Sequence, residues 1–174
     1  MKKTKKLTLS AILVAMGVVF MLLGSFVEVM DLSVCAAASL IIVFIYLEIG
    51  PSYALMAYLS TSVIGFIILP AKLMAVEYFL VFGIYPLLKA FVEKLVKWSW
   101  IPLKLVFINA VIWILFAVCE LLLGVPFFEG DNLFLKVCFY LFINLTFIVY
   151  DIFITVMVRF YYDKIRHRIR ALLR

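Results

Sequence analysis

Apolar stretches of near-transmembrane length alternate along this chain with short clusters of glycine, proline and charge. These breaks fall at Glu28 to Asp31, Gly50-Pro51, Pro70 with Lys72, Lys94 to Lys104 and Gly124 to Asn132. The pattern predicts six helices over residues 7–26, 32–48, 52–69, 73–95, 103–123 and 133–160. The second is the shortest, ends at Glu48, and is expected to be tilted, broken or partly re-entrant. Pro51 and Pro102 fall where a first helical turn tolerates proline, because N–H groups there have no intrahelical partner. Strands are excluded: nothing alternates with period two, and in lipid only a closed barrel satisfies strand hydrogen bonds.

Each span approaches the roughly 20 residues that a hydrocarbon core about 30 Å thick requires. With 174 residues, 68% of them hydrophobic, the chain predicts a single all-α domain over 1–174, an integral membrane bundle of six transmembrane helices joined by short loops. A secretory signal at Lys2 to Gly24 is a poor alternative: the apolar run is too long and no small-x-small cleavage site follows it.

Charge then orients the bundle. Six crossings with a cytoplasmic start place fourteen of the sixteen lysines and arginines inside, leaving only Lys72 and Lys136 outside, so both termini are expected in the cytoplasm. The two longer outer loops carry Glu28 and Asp31, and Glu129 and Asp131. The net charge of +6 is split among three blocks that border apolar runs, the placement of membrane anchors and not of a nucleic-acid surface. Trp98 and Trp100, beside Lys94 and Lys97, suit headgroup depth. The basic tail from Asp163 to Arg174 is expected to be helical and to lie on anionic membrane lipid in preference to an acidic partner; His167 belongs to this tail and is not assigned catalysis or metal. Cys35, Cys119 and Cys138 lack metal-type spacing or a pairing pattern and are expected to be buried free thiols.

Polar side chains inside the spans are costly in lipid and mark function or internal packing. The first three spans carry mainly small or hydroxyl residues, among them Ala11, Ala15, Gly17, Ala36 to Ser39 and Ser60 to Ser62, which let helices approach closely. The last three differ. At 100° per residue, Asn109, Trp113, Phe116 and Glu120 form one stripe on the fifth helix, and Lys136, Tyr140, Asn144, Asp151 and Thr155 group on the sixth. The fourth aligns Glu77, Tyr85 and Lys89, with Tyr78 next to Glu77. Lys72, Glu77, Glu120, Lys136, Tyr140 and Asn144 fall in the outer half of the membrane and, with Tyr78 and Trp113, are the candidate substrate-binding residues, suited to a small polar ligand with a flat or cationic part. The competing reading pairs Glu77 or Glu120 with Lys72 or Lys136 in a network that only holds helices together. Asp151 and Asn109 lie deeper and are expected to form helix-to-helix hydrogen bonds. No GxGD, HExxH, P-loop or nucleophile elbow occurs, so no catalytic, metal or cofactor residues are assigned and the chain is not expected to be an enzyme.

The basic N-terminus running into Leu7-Thr8-Leu9-Ser10-Ala11-Ile12-Leu13-Val14-Ala15 resembles the start of S components, the substrate-binding subunits of energy-coupling factor transporters. Gly50-Pro51-Ser52-Tyr53-Ala54-Leu55 and Val76-Glu77-Tyr78-Phe79-Leu80 are similar to segments entering the third and fourth helices of that family. The resemblance spans the chain in architecture but rests on these short motifs. It implies that Ala11 and Ala15 contact a transmembrane coupling subunit, that Glu77 and Tyr78 line the site, and that two ATPase subunits drive delivery of a vitamin-like micronutrient across the bacterial plasma membrane. The His-Trp-type segment of thiamine-binding members is absent from the fifth helix, which leaves the substrate open. The alternative is a non-transporting membrane scaffold of the cell-shape type, which would hold a protein partner and no ligand.

Overall fold

The computed structural model describes residues 3–27, 30–94, 100–123 and 133–166; the side chains of residues 119, 122, 123, 133 and 165 are not part of that description. The expectations for Glu28, Lys97, Trp98, Glu129, Asp131 and His167, and for the tail beyond Arg166, lie outside the described residues. Among the described residues there are helices and turns and no strand. We label the helices α1 (Lys3–Gly24), α2 (Asp31–Glu48), α3 (Pro51–Ile68), α4 (Lys72–Val92), α5 (Trp100–Leu123) and α6 (Leu133–Phe160), the last prolonged by a π turn over Tyr161–Ile165. Six helices are thus long and apolar enough to cross a membrane, as in a multi-pass membrane protein.

The helix ends follow from local chemistry. Gly50 takes φ +130°, in the left-handed region that L side chains rarely adopt, and links α2 to α3 through its N–H, which donates to the Ile45 carbonyl at 3.0 Å. Pro51 then opens α3 at its first position. At the other end of α3, Pro70 disfavours helical backbone at the residue before it, and Leu69 is extended with ψ 129°.

By compactness the chain divides into two units, residues 1–88 with 153–174, and residues 89–152. In the first, α1, α2 and α3 pack on one another pairwise, and the start of α4 packs on α2 and α3. Its core holds Met21, Cys35, Ile42, Ile45, Met74 and Tyr78, all essentially buried. The helices approach closely where the sequence is small: a Cβ on Gly24 would stand 2.8 Å from the Val34 side chain. In the same unit Phe44 meets Tyr161 edge to face at 5.7 Å, and Arg166 Nε lies 3.6 Å from Glu48 Oε1 while its guanidinium covers the Tyr162 ring at 4.5 Å. In the second unit the buried apolar residues among those described are Val92, Ile108, Val111, Ile112, Phe147 and Tyr150.

The break expected in the second span falls instead in the fourth. α2 runs uninterrupted for 18 residues, whereas α4 is α-helical over Lys72–Glu77, widens to a π turn over Tyr78–Phe82, and resumes over Tyr85–Val92. In the wide turn the Gly83 N–H reaches the Tyr78 carbonyl at 2.7 Å, five residues back, and the Phe79 carbonyl accepts the Tyr58 hydroxyl at 3.0 Å. The rings of Tyr58 and Phe79 stack at 5.8 Å with 12° between planes. Gly83 makes room for this: a Cβ there would come within 2.6 Å of the Tyr58 ring and 2.9 Å of the Tyr78 ring. The cysteines also differ from expectation. Cys35 is a buried free thiol, but Cys138 is free and exposed, on a helix face left bare by packing; the Cys119 side chain lies outside the description.

Gly83→Ala tests the wide turn. Alanine raises helix propensity by about 1 kcal/mol, but displacing two ring systems costs about 1–3 kcal/mol. The expected net result is a lower midpoint of thermal unfolding in detergent, partly restored by Tyr58→Leu, which removes the ring that stands closest.

Candidate functional site

Hydroxyl and amide side chains on apolar helices first satisfy themselves on their own backbone. Ser10 donates to the Lys6 carbonyl at 2.9 Å, Ser62 to Tyr58 at 2.8 Å, Thr146 to Phe142 at 2.9 Å, Asn109 to Leu105 at 2.7 Å and Asn144 to Tyr140 at 2.9 Å. What reaches beyond its own turn therefore identifies the sites.

In the first unit, Lys72 is exposed and donates to the Phe66 carbonyl at 2.7 Å, closing the turn around Pro70. Glu77 is half-buried one turn further on, within electrostatic reach of Asp31 at the start of α2 and of Cys35. The Cys35 thiol in turn lies 3.8 Å from the Met74 carbonyl and holds α2 against this part of α4. Tyr78 is wholly buried and opens the π turn, so its ring serves the packing around Gly83. Asp31 and Glu77 are thus two acids, on α2 and α4, within electrostatic reach of each other. Among the described residues no group of three or more histidines, cysteines or acids has metal-binding geometry.

Ala11 and Ala15 are both exposed, on an open groove of about 510 Å³ between α1 and α3. Leu7, Ser10, Val14 and Val18 line it from α1, and Tyr53, Met56, Ala57, Ser60 and Ile64 from α3.

In the second unit, the Tyr140 hydroxyl donates to Asn109 Oδ1 and joins α6 to α5, with Tyr140 and Asn144 half-buried and Lys136 half-buried one turn earlier. The stripe expected on α5 splits by exposure: Asn109 and Phe116 are half-buried, but Trp113 is 69% exposed and Glu120 is exposed. Of the eight candidate residues, this unit contains Trp113, Glu120, Lys136, Tyr140 and Asn144, and the first contains Lys72, Glu77 and Tyr78.

The strongest electrostatic feature was not among the candidates. Lys89, 4% exposed, donates to Asp151 Oδ1 and, at 2.8 Å, to the Asp151 main-chain carbonyl. Lys104 donates to both Asp151 carboxylate oxygens at 3.0 Å and to Glu93 Oε1 at 3.2 Å, and Lys89 Nζ lies 3.5 Å from the same Glu93 oxygen. Two lysines and two carboxylates, all in the second unit, therefore link the end of α4, the start of α5 and the middle of α6. Charge counting uses Lys89 and Lys104 for orientation, and helical periodicity adds only that Lys89 shares a face with Glu77 and Tyr85. The signal for the cluster is Asp151 itself, the only acid in the 28 residues of α6, which must find cations. The expectation that Asp151 and Asn109 tie helices together corresponds to these contacts, with an ion network at Asp151 where helix-to-helix hydrogen bonding was foreseen.

Asp151→Asn preserves shape but leaves two ammonium groups facing each other with reduced compensation, and is expected to lower stability by about 3 kcal/mol. Glu93→Gln, at the more exposed edge, is expected to cost less than about 1 kcal/mol. Denaturant unfolding in a fixed detergent separates the two; equal losses would contradict this division. In the comparisons with known proteins, no family model, no curated protein and no solved structure matches the chain.

Proposed function

We propose that this chain is the substrate-binding membrane subunit of an energy-coupling factor type importer, one that captures a vitamin or related micronutrient outside and delivers it inward with a partner module. The observation that carries the reading is the placement of Ala11 and Ala15. Both alanines are exposed along the α1–α3 groove and do not fill the chain's own core. Small residues left open on a membrane helix suit the close approach of another helix, which is the role the family resemblance assigns to them.

In this reading both termini are cytoplasmic, in the bacterial plasma membrane, as the lysine and arginine distribution favours. A coupling subunit docks along α1 and α3, and two ATPase subunits supply the energy. Glu77, with Asp31 as the adjacent acid, contacts the ligand, and Tyr78 and the π turn hold Glu77 in place. A half-buried carboxylate with a second acid in electrostatic reach suits a ligand with a cationic or strongly hydrogen-bond-donating part. The chain itself performs no covalent chemistry.

Mass spectrometry of small molecules released from gently purified protein tests the reading. The expected result is a bound micronutrient whose affinity falls at least about tenfold in Glu77→Gln, a loss of about 1.4 kcal/mol, with the unfolding midpoint unchanged. Ala11→Trp with Ala15→Trp is expected to keep the ligand and lose co-purification of the energising module. Absence of any ligand in a broad screen, together with co-purifying wall-synthesis proteins, would overturn the importer reading in favour of a cell-shape scaffold.

A further inference from the structure

The α1–α3 groove has a polarity along its length. Its walls are apolar from Val14 and Val18 to Ile64 and Ile68, and its opposite end is formed by Leu7, Ser10 and Tyr53. Lys3 lies one helical turn before Leu7, and Lys6 one turn before Ser10, so both stand on the groove side of α1. The Lys6 ammonium sits 5.9 Å from the Tyr53 ring centroid and 3.4 Å from the Ile49 carbonyl, which holds it at this mouth. Lys5 is exposed beside them. No acid occurs in the first turn of α1 or α3. The nearest acid in sequence at this end, Glu48, already faces Arg166 Nε at 3.6 Å.

We propose that this groove seats one acyl chain of a glycerophospholipid with an anionic headgroup, its phosphate held by Lys3 and Lys6. The dimensions agree. From Leu7 to Val19 the helix rises about 18 Å, and one leaflet of hydrocarbon is about 15 Å deep. One acyl chain from the leaflet that meets the basic end therefore runs the length of the groove. The sign of the headgroup follows from charge complementarity: Lys3, Lys5 and Lys6 outnumber Glu48, which already faces Arg166, and so attract anionic lipid over a zwitterionic one. Ser10 and Ser60 do not disturb the apolar path, because Ser10 is already bonded to its own helix and each is a single hydroxyl among apolar walls.

The seat belongs to the isolated chain and does not depend on the importer reading. One consequence does rest on that reading: because Ala11 and Ala15 lie in the same groove, the lipid occupies the docking surface until a coupling subunit displaces it.

The test uses the full chain, purified alone in detergent and offered phosphatidylglycerol and phosphatidylcholine in equal amounts, with retained lipid counted by native mass spectrometry. The expected result is one retained phosphatidylglycerol, favoured over phosphatidylcholine. Lys3→Gln with Lys6→Gln reduces that preference about tenfold, Lys94→Gln leaves it unchanged, and Ala15→Trp lowers retention of both lipids by filling the groove. Circular dichroism of each variant confirms that helix content is kept. Equal retention of the two lipids by the unaltered chain, or a preference that survives loss of Lys3 and Lys6, overturns the proposal. So does a second copy of the chain or a co-purifying protein on the groove in place of lipid. Because no partner and no transported ligand is present, a failure here is distinct from a failure of the importer reading.

Discussion

A hydrocarbon solvent supplies no hydrogen bonds, so every polar group that enters it must arrive with a partner. That constraint organises this protein at each scale. It leaves helices as the only spanning element, and it sends serine, threonine and asparagine side chains back to their own carbonyls. Where the regular helix pattern widens, as at Tyr78–Phe82, it calls on Tyr58 from another helix to reach the Phe79 carbonyl. The π turn, the Tyr58 ring and Gly83 are thus one device: the hydroxyl meets the backbone, the ring stacks on Phe79, and the missing Cβ leaves space for both.

The same constraint explains Asp151. A lone carboxylate on an apolar helix costs several kcal/mol unless it is neutralised, and Lys89 and Lys104 neutralise it from two other helical segments. Glu93 restores the charge balance of the group. An internal salt network was foreseen as an alternative role for Glu77 and Glu120; among the described residues a network of this kind joins Asp151 and Glu93 to Lys89 and Lys104, two lysines that were counted for orientation. Glu77 instead has an acid, Asp31, as its electrostatic neighbour. This difference separates the two clusters: at Asp151 opposite charges meet in direct ion pairs, whereas at Glu77 the charged group within electrostatic reach is another acid.

The α1–α3 groove has the opposite chemistry, an apolar trough with lysines at one mouth. An open apolar surface of this kind is stable only where something apolar covers it, which in a membrane is lipid or another helix. The proposed lipid seat and the proposed docking surface are successive states of one place, with Ala11 and Ala15 allowing the closer approach of a helix once the chain is displaced.

The sequence by itself determined that the chain is helical, how many spans it has, roughly where each begins and ends, and where the charges concentrate. Those properties are local: hydropathy over about 20 residues, proline and glycine at Gly50-Pro51 and Pro70, and lysine and arginine beside each span. It also marked Glu77 and Tyr78 as candidates, and it grouped Tyr140 and Asn144 on one face. Only the tertiary structure decided that α2 is continuous and α4 is not, because the wide turn depends on Tyr58 from α3. It alone showed that Trp113 points outward on its stripe and that Lys89 and Lys104 meet Asp151. Helical periodicity says which residues share a face, but what that face meets is set by side chains distant in sequence, and a single chain read in order carries no measure of those distances.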